Sequence, residues 1–161
     1  MIYLIRGLPG SGKTTYAKNC TDPSIKHIEA DMWHSVAGIY RFDMSEVESS
    51  HRWCVAATEL TIRCEAKNPV VTNTLTTIAE CAPYYVLSQK YGVEIRPKTM
   101  TGTFGSVHEV PLTTIEVMRM RYVSDENIKA YFSDKDLSSF FGDPYGAYKF
   151  FYNLAKVVES V

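Results

Sequence analysis

The chain opens on a short β-favouring run, Ile2 to Arg6, and breaks at once into the glycine-rich stretch Gly7 to Gly12, after which KTTYAKNC has a helical pattern. That succession predicts strand, loop and helix. Asp22 and Pro23 in TDPS punctuate the helix end. IKHIEAD reads as a second strand of mixed polarity ending on Asp31, with Glu29 projecting toward the core or a neighbouring helix. WHSVAGIYRFD is irregular. Ser45 followed by Glu48 has capping-box spacing, and the helix it opens should run to about Ala66, with Trp53, Ala56, Leu60 and Cys64 on one face.

NPVVTNTL carries a turn signal, two β-branched residues and a polar end, the pattern of a buried parallel strand delivering Asn73 at its C-terminal edge. Thr77 to Lys90 predicts a helix with a kink or early break at Pro83, and YGVEIRPKTM returns to a strand. TGTFGSVHEV is too glycine-rich for a stable element. Pro111 suits the first turn of a helix through LTTIEVMRMRY. From Asp125 onward Phe140, Phe141, Tyr145, Tyr148, Phe150 and Phe151 predict a packed helical cap, whose apolar surface is also a candidate for self-association. The alternation argues for an α/β fold of three layers around a mainly parallel sheet. With 161 residues, 45% of them hydrophobic, the expectation is one domain over 1–161, with 125–161 as a helical extension.

A formal charge of −1 neither selects nor excludes a nucleic-acid substrate. Cys20, Cys54, Cys64 and Cys81 form no CxxC pair, and the N-terminal apolar run is interrupted too early for a signal peptide. They read as reduced core residues of a cytoplasmic protein. No stretch is long and apolar enough to predict a membrane span.

Gly7, Gly10, Gly12, Lys13 and Thr14 satisfy G-x-x-x-x-G-K-[ST], with Ser11 and Thr15 completing the loop. The glycines let backbone N–H groups surround a phosphate, Lys13 reaches the β/γ oxygens of ATP, and the Thr14 hydroxyl is placed for Mg²⁺. PVVTN ends in Thr72 and Asn73, without the strand-end aspartate of a motor or switch, and no NKxD guanine-reading element is present. These features favour phosphoryl transfer to a modest acceptor. Asp31, at the sheet edge where the loop opens, is the candidate to take the acceptor's proton; the alternative is an N-cap or a solvated carboxylate. Trp33 and His34 either line an acceptor pocket or simply pack. Magnesium carried by the nucleotide is the one metal expected.

With GLPGSGKTTYAK, IEADMW, YRFD, HRWC, NPVVTNTL and VHEVPLTTIEVMRMRY in this order, residues 1–122 resemble the 5'-hydroxyl polynucleotide kinase branch of the P-loop kinases. The likeness is to the kinase domain of the T-even phage polynucleotide kinase and the kinase-like domains of NEDD4-binding proteins, with zeta toxins more distant. It implies an ATP-dependent kinase acting on a nucleic-acid 5' end or a nucleotide-like acceptor, and a phage-infected bacterial cell as one setting. The other readings are a nucleoside, nucleotide or modified-base kinase and a nucleotide-binding protein with weak catalysis. Asp31 matches the general base, Lys13 and Thr14 match the triphosphate and magnesium ligands, and Asn73 and Thr74 match the polar strand end that touches the acceptor phosphate or orients the base. Three departures stand out. The aspartate usual near Asn73 is absent; His34 replaces an arginine that holds the acceptor phosphate; and Gly105 and Ser106 replace an Arg-Asn pair whose arginine reaches the donor phosphates. Arg119 and Arg121 are candidates to compensate, their ordinary alternatives being a solvated face or an ion pair with a residue such as Glu116.

Overall fold

A computed structural model of the chain describes residues 1–105 and 108–160. Strand β1 (Ile2–Arg6) leads into helix α1 (Lys13–Lys18), then β2 (Ile25–Ile28), a 3₁₀ turn over Ala30–Met32 and a small antiparallel pair, β3 (Ser35–Val36) with β4 (Ile39–Tyr40). Helix α2 (Val47–Leu60) passes into a π turn over Thr61–Glu65, followed by β5 (Asn68–Thr72), α3 (Ile78–Tyr91) and β6 (Ile95–Thr99). The chain continues through α4 (Leu112–Met120), α5 (Asp125–Phe132) and α6 (Gly146–Glu159).

The main sheet has the order β2-β5-β1-β6 with every pairing parallel, in the register Ile28 to Val71, Leu4 to Val71 and Leu4 to Pro97. Parallel strands put their C-terminal ends on one edge, so Gly7, Glu29, Asn73 and Met100 emerge together where the order of connection reverses. Period-two alternation divides the faces. Ile2, Leu4 and Val71 join the large core with α3, α5 and α6, whereas Ile5 and Val70 pack with Ala17 of α1 on the opposite face. The three-layer α/β fold with a mainly parallel sheet is the one expected.

Several local expectations change. The second strand ends at Ile28, not Asp31, which lies in the 3₁₀ turn; the Ala30 N–H leaves the sheet ladder and donates to Asn73 Oδ1 at 2.9 Å. The capping box is not at Ser45 and Glu48: Asp43 accepts from the Ser45 N–H at 2.8 Å, while Glu48 pairs with Arg52 and Lys149. Thr77 and Glu80 have the same spacing, and there the threonine Oγ1 does accept the Glu80 N–H, at 3.2 Å. The face of α2 carrying Ala56, Leu60 and Cys64 is the outer one; Ser50, Cys54, Val55 and Thr58 are buried instead. The Ser50 and Thr58 hydroxyls donate to Val47 and Cys54 carbonyls of their own helix, which removes the cost of burying them. Of the cysteines, Cys54 and Cys81 are core residues and Cys20 and Cys64 are exposed. Pro83 neither ends nor divides α3; it sits buried inside one continuous helix.

Arg6, the last residue before the phosphate loop's first glycine, is 0% exposed. Its Nε donates to Leu75 O at 2.9 Å and its NH2 group to Val123 O at 2.8 Å, its NH1 group pairs with Asp125, and the guanidinium lies over the Tyr122 ring. Asp125 also accepts from Thr99 N at 2.8 Å. The root of the loop is thereby fixed to the start of α5. In the aromatic tail, Tyr145, Ala147 and Phe151 enter the core, while Phe150, Val157 and Val158 of α6 stay exposed. Among the described residues no helix is long and apolar enough to cross a membrane.

Candidate functional site

The phosphate loop is shaped by glycine. Gly7, Gly10 and Gly12 have φ of 152°, 77° and 94°; a Cβ on Gly7 would stand 2.7 Å from the Met100 carbonyl oxygen, so only glycine fits that turn. Lys13 folds its ammonium back into the loop, donating to Gly7 O and Leu8 O at 2.9 Å each. Burial lowers its pKa from 10.5 to about 8, against the opposing pull of Asp31 and Glu29. Ser11 is buried beneath the loop, 3.5 Å from the Lys13 ammonium, and Thr15 faces outward.

Thr14 does not stand alone. Its hydroxyl donates to Glu29 Oε2 at 2.8 Å, and the same oxygen accepts the Thr72 hydroxyl at 2.9 Å. Burial by itself would raise the Glu29 pKa, but hydrogen bonds from His27, Thr14 and Thr72 outweigh it and hold the group down at about 2. Glu29 thus reaches the neighbouring helix α1, at its phosphate-loop end.

Asp31 is 44% exposed and open to the edge where the loop emerges. The Tyr40 hydroxyl donates to its Oδ1 at 3.3 Å, His108 Nε2 stands 3.3 Å from its Oδ2, and the Tyr40 and His108 rings are stacked at 4.0 Å. Burial, followed by the Asp31 charge and hydrogen bond, pushes the Tyr40 hydroxyl up to about 12, so it stays a donor. Asn73 supports the turn from below: its Oδ1 holds Ala30 N, and its amide lies 3.7 Å from Cys54 Sγ. Thr74 accepts the Gly7 N–H through its carbonyl, at 3.3 Å.

The remaining expected residues divide. Trp33 is 39% exposed beside Asp31, whereas His34 is buried against Phe42 and Tyr40 with Nδ1 unpartnered. Arg119 pairs with Glu116, its ordinary alternative. Arg121 instead donates to Thr76 Oγ1 at 2.9 Å and pairs with Glu80 at 3.2 Å, two residues beyond Thr74. Gly105 is described, with φ of 80°; Ser106 lies outside the described residues. Four residues join the site that the pattern of the chain did not place there: Glu29, Tyr40, Phe104 and His108. Phe104 donates its N–H to Gly10 O at 2.9 Å and lays its ring over Gly12 while remaining 81% exposed. The H in VHEVP and the Y in YRFD were visible as motif residues, but their stacking on one another was not.

A half-buried cation, three left-handed glycines and a hydroxyl whose proton is already accepted by a carboxylate form a donor set suited to a triphosphate with its hard divalent cation. A family model described as an AAA domain matches residues 2–100, which take in the loop, Glu29, Asp31 and Asn73. NEDD4-binding protein 2 from Homo sapiens is 29% identical over 97 residues, covering 59% of this chain and 6% of that protein, so the likeness concerns a small part of the relative. Among solved structures, a chain of "Structure of the Pnkp1/Rnl/Hen1 RNA repair complex" aligns with a TM-score of 0.49 and 15% identity, over 82% of this chain and 42% of that one.

Proposed function

This chain belongs to the AAA domain family, and we propose that within it the protein is an ATP-dependent phosphotransferase acting on a hydroxyl at a nucleic-acid 5' end or on a nucleotide-like acceptor. Lys13 would exchange the Gly7 and Leu8 carbonyls for phosphate oxygens of ATP·Mg in the loop, and the Thr14 hydroxyl would hold the cation. Bound Mg²⁺ would supply charge neutralisation on the transferring phosphates.

Asp31 acts on the acceptor. Its carboxylate takes the hydroxyl proton as the new O–P bond forms and the bond to the ADP oxygen breaks. Tyr40 and Asn73 are the positioning residues, one holding a carboxylate oxygen and the other the turn beneath it. Trp33 offers an exposed ring for a base to stack on, whereas Arg121 is already engaged by Thr76 and Glu80. The single observation that carries the reading is the half-exposed Asp31 carboxylate beside the loop, near enough for its charge to act on Lys13.

A second reading, nucleotide binding with weak or no turnover, draws on the His108 contact, which engages one oxygen of the Asp31 carboxylate while Tyr40 engages the other. Transfer of the γ-phosphate from ATP to 5'-hydroxyl DNA, 5'-hydroxyl RNA and a nucleoside panel tests the two readings. Transfer to any of these supports the kinase. ATP binding with no transfer to any supports the second.

A further inference from the structure

We propose that Glu29 is the carboxylate that sets the divalent cation at the phosphate loop, acting through Thr14 as a Mg²⁺-positioning residue; this rests on the reading of the loop as an ATP·Mg site. The strand beside β1 ends in Thr72 and Asn73 and brings no carboxylate of its own. One strand further out, the chain after β2 supplies it: Glu29 is extended, with φ −146° and ψ 151°, and its side chain is only 14% exposed.

The proton inventory fixes what the cluster does. A hydroxyl has one proton and two lone pairs. Thr14 gives its proton to Glu29 Oε2 at 2.8 Å, which leaves its lone pairs for a cation and stops the hydroxyl rotating away. Thr72 likewise gives its single proton to Glu29, at 2.9 Å. The 2.7 Å contact between Thr72 Oγ1 and His27 Nε2 must then be donated by the histidine, so Nε2 carries the hydrogen. The same Nε2–H, 3.3 Å from Glu29 Oε2, is shared with that oxygen, and the three groups together keep it fixed on Thr14. Oε1 takes no hydrogen bond among the described residues.

The competing explanation is that Glu29 merely joins α1 to the sheet. Calorimetric titration of ATP in excess Mg²⁺ and in EDTA separates the two, applied to wild type, Glu29→Gln and Thr72→Val, with melting curves to establish that each variant is folded. In wild type Mg²⁺ tightens ATP binding. In Glu29→Gln that Mg²⁺-dependent gain should fall about tenfold or more, while affinity in EDTA stays within about twofold; Thr72→Val, which keeps the Glu29 charge and loses the hydroxyl's two hydrogen bonds, to Glu29 and to His27, should fall in the same direction by less. If Glu29→Gln does not fold, Thr72→Val decides. A wild-type Mg²⁺ gain in the folded variants, or a loss of affinity equal in Mg²⁺ and EDTA, would overturn the proposal while leaving the phosphate site standing. Failure of wild type to bind ATP in either condition would overturn both.

Discussion

Replacing Arg6 with methionine tests the link between the fold and the loop it carries. The side chain is fully buried, and methionine keeps its length while removing every donor. Three hydrogen-bonded groups lose a partner: the Leu75 and Val123 carbonyls and the Asp125 carboxylate, whose side chain is 16% exposed and keeps, among the described residues, its bonds from Thr99. Removing one partner of a buried ion pair costs roughly 3–5 kcal/mol. Each abandoned carbonyl adds about 1 kcal/mol or more, partly counted already in that range. An expected loss of about 4 kcal/mol is a large share of the roughly 5–15 kcal/mol that holds a domain together. Urea unfolding followed by fluorescence should show it as a fall in midpoint of about 2 M for a slope near 2 kcal/mol/M. Arg6→Met/Asp125→Leu should recover part of the loss, because an uncompensated buried charge is the costly state; the cycle should give a coupling of at least about 1.5 kcal/mol. A single-variant cost below about 1 kcal/mol, or strict additivity, would refute the reasoning.

Three further outcomes follow from the same geometry. Phosphate contact should raise the Lys13 pKa above its free value of about 8, so ATP affinity should be full below that pH and decline as pH rises through it; calorimetry at pH 8.5 in buffers of different ionisation enthalpy should register proton uptake, and a flat affinity to pH 9.5 would contradict it. Glu29, depressed from 4.5 to about 2, contributes about 3 kcal/mol of stability that is complete above pH 4.5 and lost as pH falls toward 2; Glu29→Gln should therefore flatten the acid limb of a stability profile, and an unchanged limb would count against it. Phe151→Ala, at a nearly buried ring with its centroid 5.7 Å from that of Phe132, should cost about 3–5 kcal/mol in chemical denaturation if the tail is integral, and under about 1 kcal/mol if it is an appendage.

What could be read from the chain alone was what local order determines. Ile2–Arg6 and the loop after it were legible because β-favouring residues, glycines and Lys13 stand in one continuous motif. The end of β2 was not, because Ala30 exchanges a ladder bond for the side chain of Asn73, 43 positions away. The buried face of α2 was misplaced for a different reason: hydroxyls satisfied within their own helix count as polar in a sequence but bury like small apolar groups. Around Asp31 and Thr14, the candidates themselves were visible and their partners were not. Thr14 meets Glu29 across 15 positions, and Asp31 meets Tyr40 across the β3–β4 turn and His108 from beyond β6. Only the folded sheet edge brings those groups together.

The most direct test of the phosphotransferase reading is the single-turnover rate of γ-phosphate transfer for wild type and Asp31→Asn, using the best acceptor from the DNA, RNA and nucleoside panel, with ATP affinity measured in parallel. Asparagine keeps the shape of the side chain and removes its basicity, so transfer should fall at least about ten- to a hundredfold while ATP affinity is unchanged. Equal transfer rates for the two proteins, or no transfer by wild type to any acceptor despite ATP binding, would contradict the assignment.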